Sequence, residues 1–369
     1  MKLCKGAVLA LAVSYGLIYC HTNKSKFMLE QKGDSLTLIH ITNPTNYILL
    51  PIEEAAEESR VRLDIGDAAD TDMDIRLAQT KVDYWVPFVL PADAKTVTVR
   101  VQKSLGDALC WKEMKLSDTF DPSHTDKFRP VYHHAPLYGW MNNANGLVYE
   151  DEEYHLYYQY NPYGSKWGNM HWGHSISKDL MHWEHLPVAL TKDANGEIFS
   201  GSIVIDRDNT AGFGKDAMIA VYTSNGQKQT QSLAYSLDKG RTFIKYKNNP
   251  VLKDDAKPDF RDPKVFWYAA GSKWIMSLAT GQTITFYSSS DLKEWKKLSD
   301  FGDGIGAHGG VWECPDLIQM DYNGQKKWVL LVSINPGGPN GGSATQYFVG
   351  DFDGVTFKAD NLPRSEEHT

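Results

Sequence analysis

The sequence predicts an all-β protein, a β-propeller preceded by a small β-sandwich, and three observations carry that expectation. Short runs of β-branched and aromatic residues, separated by Pro, Asn, Asp and Gly, recur along the chain. From about residue 125 the runs fall into a loose internal repeat, and clusters of Asn, Asp and Glu stand at matching phases of that repeat. With 369 residues, 42% of them hydrophobic and 12% aromatic, the chain has the material for two ordinary cores.

The first twenty residues place Lys2 and Lys5 ahead of an apolar stretch from Gly6 to Leu17, which is the layout of a secretory leader and too short for a membrane span. Leu17-Ile18-Tyr19-Cys20 resembles a bacterial lipoprotein processing site, with Cys20 as the lipidated residue, although Tyr19 stands where a small residue is usual. Simple export is the alternative. Either reading places the protein in the periplasm, on the cell surface or outside the cell, touching a membrane only through Cys20. Cys110 and Cys314 lie far apart and suggest no disulfide framework or metal spacing.

Residues 21–122 read as the sandwich. Leu36-Thr37-Leu38-Ile39-His40-Ile41, Tyr47-Ile48-Leu49-Leu50-Pro51 and Val97-Thr98-Val99-Arg100-Val101 are its clearest strands. No cluster of His or carboxylates marks chemistry here. Structural support is the expected role, with accessory sugar binding second.

Residues 125–363 read as the propeller. Ser177-Lys178-Asp179 leads to Trp183, Ser236-Leu237-Asp238 to Phe243, Ser289-Ser290-Asp291 to Trp295 and Asp351-Phe352-Asp353 to Phe357, so the closing aromatics recur at intervals of 60, 52 and 62 residues. Strand-like runs precede each of them, and four short strands per unit at this period is propeller spacing. Each turn Asp is expected to cap a hairpin, and each aromatic to pack between blades. Four units fit where a propeller must close to hide its sheet edges, so the domain reads as incomplete at its carboxy end. Residues 364–369, Arg-Ser-Glu-Glu-His-Thr, match one reading frame of a sequencing adaptor and are set apart as an artefactual tail.

First strands of propeller blades line the central channel, so the starts of successive units converge although they are distant in sequence. Trp140-Met141-Asn142-Asn143-Ala144-Asn145-Gly146, Phe260-Arg261-Asp262-Pro263 and Trp312-Glu313-Cys314-Pro315 occupy that phase. Asp262 and Glu313 supply two channel carboxylates, the residue types that glycoside cleavage uses: one acid to protonate the leaving oxygen, and one carboxylate to attack or to activate water. Solvated loop acids at blade entrances are the plainer alternative.

These motifs resemble glycoside hydrolase family 32, the β-fructofuranosidases that include invertases, levanases and inulinases. The family's first motif, Trp-Met-Asn-Asp-Pro-Asn-Gly, is matched at Trp140, Met141, Asn142, Asn145 and Gly146. Trp167-Gly168-Asn169-Met170-His171-Trp172-Gly173-His174, Phe199-Ser200-Gly201-Ser202, Arg261-Asp262-Pro263 and Glu313-Cys314-Pro315 follow in the family's order, over roughly residues 130–358. Residues 21–122 are similar to an amino-terminal β-domain of some bacterial members.

The resemblance implies a five-bladed propeller and a retaining hydrolase that forms a fructosyl-enzyme. It implies Glu313 as the acid/base, Asp262 as the transition-state stabiliser with Arg261 balancing charge, and Trp140, Asn142, Gln159, Trp167 and Ser202 as substrate-binding groups. Where the family has its nucleophilic aspartate this chain has Asn143, a neutral amide, and Ala144 replaces proline. The chain as written is therefore expected to turn over poorly. Its substrate would be a fructan or sucrose-type sugar; the alternatives are an inactive fructan-binding protein derived from the enzyme, or a five-bladed glycosidase acting on arabinose- or xylose-containing glycans.

A net charge of -8 with no basic run argues against a nucleic-acid partner. No metal or other cofactor is expected. His171 and His174 lie three apart and His133 adjoins His134, but no spacing gathers a third ligand, and the histidine pair at 133 reads as lead-in to the first blade. Gly337-Gly338-Pro339-Asn340-Gly341-Gly342 lacks the Lys and helix start of a phosphate cradle and reads as a rim loop.

Overall fold

The computed structural model describes residues 18–21, 25–65, 68–69, 72–91, 93–103, 106–122, 129–338, 340–360 and 364–366. Most of the predicted leader, residues 1–17, lies outside them, as does the side chain of Cys20. The chain divides into two compact units, residues 1–124 with 162–166, and residues 125–161 with 167–369. Among the described residues no helix is long and apolar enough to cross a membrane.

The first unit contains strands β1 (Ile18–His21), β2 (Ser25–Lys32), β3 (Leu36–Thr42), β4 (Tyr47–Ile52), β5 (Ser59–Ile65), β6 (Ala68–Ala69), β7 (Met73–Ile75), β8 (Tyr84–Val89), β9 (Thr96–Gln102) and β10 (Lys115–Ser117). One sheet runs β1-β2-β3-β9-β5-β6 with β7 also on β5, and a second runs β10-β4-β8. The period-two pattern sets the register: Ile39 and Ile41 lie opposite Val99 and Val97, and all four point inward. Ile48, Leu50, Val86 and Phe88 of the second sheet and Trp111 of the single turn Cys110–Glu113 join the same core, giving a sandwich.

Glu53 ties the loops of this unit together. Its buried carboxylate accepts the backbone N–H of Gln79 and of Thr80, each at 2.8 Å, and the Thr80 hydroxyl at 2.9 Å. Those donors stabilise the ionised form and hold its pKa down to about 2. A depressed carboxylate pKa contributes stability above its unfolded value, near 4.5, and that contribution is lost as the pH falls through about 2. Glu53→Ala is expected to lower the unfolding midpoint at neutral pH and to flatten the acid limb; an acid limb unchanged in slope would refute this role.

Among the described residues the second unit forms four antiparallel blades. The first contains β11 (Trp140–Glu150), β12 (Glu153–Asn161), β13 (His171–Ser177) and β14 (Glu184–Leu190). The second contains β15 (Glu197–Asp206), β16 (Ala217–Asn225), β17 (Gln229–Ser236) and β18 (Ile244–Lys245), with β19 (Leu252–Lys253) also on β17. The third contains β20 (Arg261–Tyr268), β21 (Lys273–Ala279), β22 (Ile284–Ser289) and β23 (Lys296–Phe301). The fourth contains β24 (Val311–Tyr322), β25 (Gln325–Asn335), β26 (Ala344–Phe352) and β27 (Phe357–Ala359). Residues set apart as a tail also appear here, because Arg364–Glu366 forms β28 against Tyr347–Thr345 of β26.

Blades pack face to face, so a middle strand feeds two cores at once. In β16, Ala217, Ile219 and Val221 point toward blade three, while Met218, Ala220 and Tyr222 point toward blade one. That is why these strands read as continuous apolar runs with little alternation. Three of the repeated turns follow one pattern: Asp291 Oδ1 accepts the N–H groups of Lys293 and Glu294 at 2.9 Å, and Asp179 and Asp353 do the same for their own turns, whereas Asp238 accepts the N–H and hydroxyl of Thr242. Phe243, Trp295 and Phe357 then pack into the successive interblade cores, whereas Trp183 lies against His134 and the separate cluster of Leu156, Tyr158 and Tyr160 in blade one.

Candidate active site

Every innermost strand breaks register at the same height. The shifts fall between Met141 and Ala144, Ile198 and Gly201, Arg261 and Lys264, and Glu313 and Asp316. Each is a β-bulge, which bends its strand and re-aims side chains out of the ladder. The bulged positions are Asn142-Asn143, Phe199-Ser200, Asp262-Pro263 and Cys314-Pro315, so the prolines sit where no ladder N–H is needed. Gly201 is required at its bulge, since a Cβ there would lie 2.2 Å from the Val221 carbonyl oxygen. Asp262 and Cys314 adopt left-handed backbone, φ +65° and +47°. Such strain costs roughly 1–2 kcal/mol for a non-glycine residue and persists only where neighbours fix it.

Side chains stitch the bulges to one another. Asn145 Oδ1 accepts Gly201 N–H at 3.3 Å, joining blade one to blade two. The Ser202 hydroxyl donates to the Pro263 carbonyl and accepts Val265 N–H, both at 2.9 Å, joining two to three. Asp262 Oδ2 accepts Cys314 N–H at 2.9 Å, joining three to four.

A cavity of about 250 Å³ opens over these bulges, lined by Asn142, Asn143, Gln159, Trp167, Phe199, Ser200, Arg261, Asp262, Glu313 and Asn335. Asn143, Asp262 and Glu313 thus meet at one hollow from three different blades. Arg261 lies between the two carboxylates: its Nη2 donates to Glu313 Oε1 at 3.1 Å and its Nε stands 3.9 Å from Asp262 Oδ2. Asp262 is only 6% exposed, and burial pushes its pKa up to about 6 despite the Cys314 N–H and Arg261.

The floor beside position 143 is a chain of amides and hydroxyls. Asn142 Nδ2 donates to Asn143 Oδ1 at 3.2 Å and to Gln159 Oε1 at 2.9 Å. Gln159 Nε2 donates to Ser200 Oγ at 2.8 Å. Asn143 Nδ2 reaches Ser200 Oγ at 3.4 Å and Cys314 Sγ at 3.3 Å. Asn142 Oδ1 is buried with no hydrogen-bond partner among the described residues. At the rim Trp167 is half-exposed and meets Phe199 edge to face at 6.0 Å.

Two expected substrate contacts stand elsewhere. Ser202 does not line this cavity, because its hydroxyl is consumed by Pro263 and Val265; Ser200, one step back on the same face of the strand, does line it. Trp140 begins β11 opposite Asn161 and is absent from the lining. Phe199, Ser200 and Asn335 also line the cavity; the first two stand in the matched Phe-Ser-Gly-Ser run without an assigned site role, and Asn335 stands in no motif. Ser200 carries a signal in hindsight, since it stands in the Phe-Ser-Gly-Ser run at the phase of the other three bulges.

Residues 133–368 match the glycosyl hydrolases family 32 N-terminal domain. The chain belongs to glycosyl hydrolase family 32. Residues 33–132 match a domain of unknown function, DUF4980. Among curated family 32 relatives, a levanase of Bacillus subtilis is 55% identical over 67% of this chain and 38% of its own length. An extracellular exo-inulinase of Aspergillus awamori is 45% identical over 67% of this chain and 52% of its own. Among solved structures, a fructofuranosidase from Schwanniomyces occidentalis complexed with fructose has a TM-score of 0.61 at 45% identity, covering 64% of this chain and 49% of that one. The chain therefore spans about half or less of the length of these relatives.

Proposed function

We propose that the cavity is a fructosyl site and that the parent chemistry is retaining hydrolysis of β-fructofuranosyl links in fructans or sucrose. The observation that carries this reading is the convergence of Asn143, Asp262 and Glu313 on one hollow, with Arg261 bridging the two acids. In this reading Glu313 protonates the departing oxygen and then activates water, and Asp262 receives the hydroxyls of the flattened, positively charged sugar. A carboxylate at position 143 would attack the anomeric carbon. The relatives named above, a levanase and an exo-inulinase, support the substrate class, and the extracellular one supports export.

Asn143 favours a second reading, a pocket that binds fructosyl ends without turning them over. Both readings require binding. Calorimetry of the chain as written is expected to show levan or inulin oligosaccharides binding, and arabino- and xylo-oligosaccharides not. Failure of every fructan to bind, with the protein folded by circular dichroism, would sink the site assignment.

A further inference from the structure

We propose that Asn143 is a self-deamidation site: the folded pocket promotes hydrolysis of this side-chain amide to aspartate and so creates a carboxylate after folding. Four observations on the chain point there. Asn143 is exposed and occupies a bulge between the paired registers Met141–Tyr160 and Ala144–Tyr158, so its own backbone stands outside the ladder although that of Ala144 is paired with Tyr158. Its successor Ala144 has a backbone nitrogen that bears a proton and only a methyl side chain to crowd it. The amide carbonyl Oδ1 already receives a hydrogen bond from Asn142 Nδ2, itself fixed by Gln159, which places a donor where negative charge develops when the carbonyl is attacked. The nitrogen that must leave lies beside Ser200 Oγ and Cys314 Sγ, two groups that carry transferable protons.

The reaction balances with water alone. The Ala144 nitrogen bonds to the Asn143 side-chain carbon and gives up its proton, the carbon–Nδ2 bond breaks, and ammonia departs to leave a cyclic imide. Water then breaks one imide carbon–nitrogen bond and forms a carbon–oxygen bond. Opening on the side-chain carbonyl yields aspartate, and opening on the other yields isoaspartate. Gln159 donates to Ser200 Oγ, and the Ser200 hydroxyl can turn its own proton from Cys314 toward the new oxygen in a charge-assisted bond.

The consequence for catalysis rests on the reading of position 143 as the nucleophile, but the conversion itself is read by mass. The full chain is incubated in ¹⁸O-labelled water, digested and sequenced by mass spectrometry beside the isolated peptide spanning Asn142–Asn145. Ordinary strand structure slows imide formation, whereas this pocket is expected to make residue 143 convert roughly tenfold faster in the folded chain than in the peptide, about 1.4 kcal/mol of barrier. Ala144→Pro removes the attacking N–H and is expected to abolish the label. Conversion no faster in the folded chain than in the peptide, or undiminished conversion in Ala144→Pro, overturns the proposal. Label at residue 143 without any fructose release would leave this inference standing and remove the hydrolase reading instead.

Discussion

Asn143→Asp is expected to raise fructose release from sucrose, levan or inulin by a factor on the order of 10⁶ over the freshly purified chain as written, as the loss of a nucleophile costs elsewhere. The substitution is nearly isosteric, so the bulge, the Asn142 contact and the Ser200 contact need not move. What changes is charge. A neutral amide cannot form the fructosyl ester and gives a developing oxocarbenium ion no counter-charge, whereas a carboxylate supplies both. The gain should therefore appear in kcat with KM little altered, because the interaction restored exists only in the transition state. Time-course measurements on the unaltered chain must accompany it, since slow conversion of Asn143 would create a rising background. A folded Asn143→Asp chain that binds fructan by calorimetry and releases no fructose would establish the binding-protein reading over the hydrolase.

The fold was legible because two-faced burial leaves a strong trace. Continuous runs such as Trp274-Ile275-Met276-Ser277-Leu278 with a capped Ser-x-Asp turn and an aromatic at a fixed distance require stacked sheets, and the structure places Ile275 and Met276 in opposite interblade cores. Convergence of Asp262 and Glu313 followed from repeat phase alone. The bulges did not, because a bulge is a mismatch between two strands and neither strand displays it by itself. Ser202 carries its site role only through the family resemblance; strand alternation puts residues 200 and 202 on one face, and the register shift at 198–201 aims the first at the cavity while the hydroxyl of the second meets Pro263. Gln159 lines the cavity, and its amide also accepts from Asn142 and donates to Ser200, which positions those neighbours.

Asp262 serves two masters, and replacing it should separate them. Its carboxylate joins blade three to blade four through the Cys314 N–H, yet burial holds its pKa near 6 against an unfolded value of 3.8. An acid whose folded pKa is raised binds its proton more tightly in the native state, so stability is highest below pH 4 on this account and is lost as the pH rises through about 6. Asp262→Asn keeps an oxygen to accept the Cys314 N–H and removes the buried charge. It is expected to stabilise the propeller by up to roughly 3 kcal/mol at pH 7–8, the full two-unit shift, in which the attraction of Arg261 is already included. The advantage should shrink as the pH falls from 6 toward 4, which thermal unfolding across that range would read. In the Asn143→Asp background the same change is expected to cut kcat/KM by about 10²–10³, the usual cost of removing one preorganised partner of transition-state charge. A stability difference independent of pH would refute the buried-charge account, and full activity would refute the placement of Asp262 against the sugar. Gain in one assay with loss in the other is the signature of a group kept for chemistry at the expense of the fold.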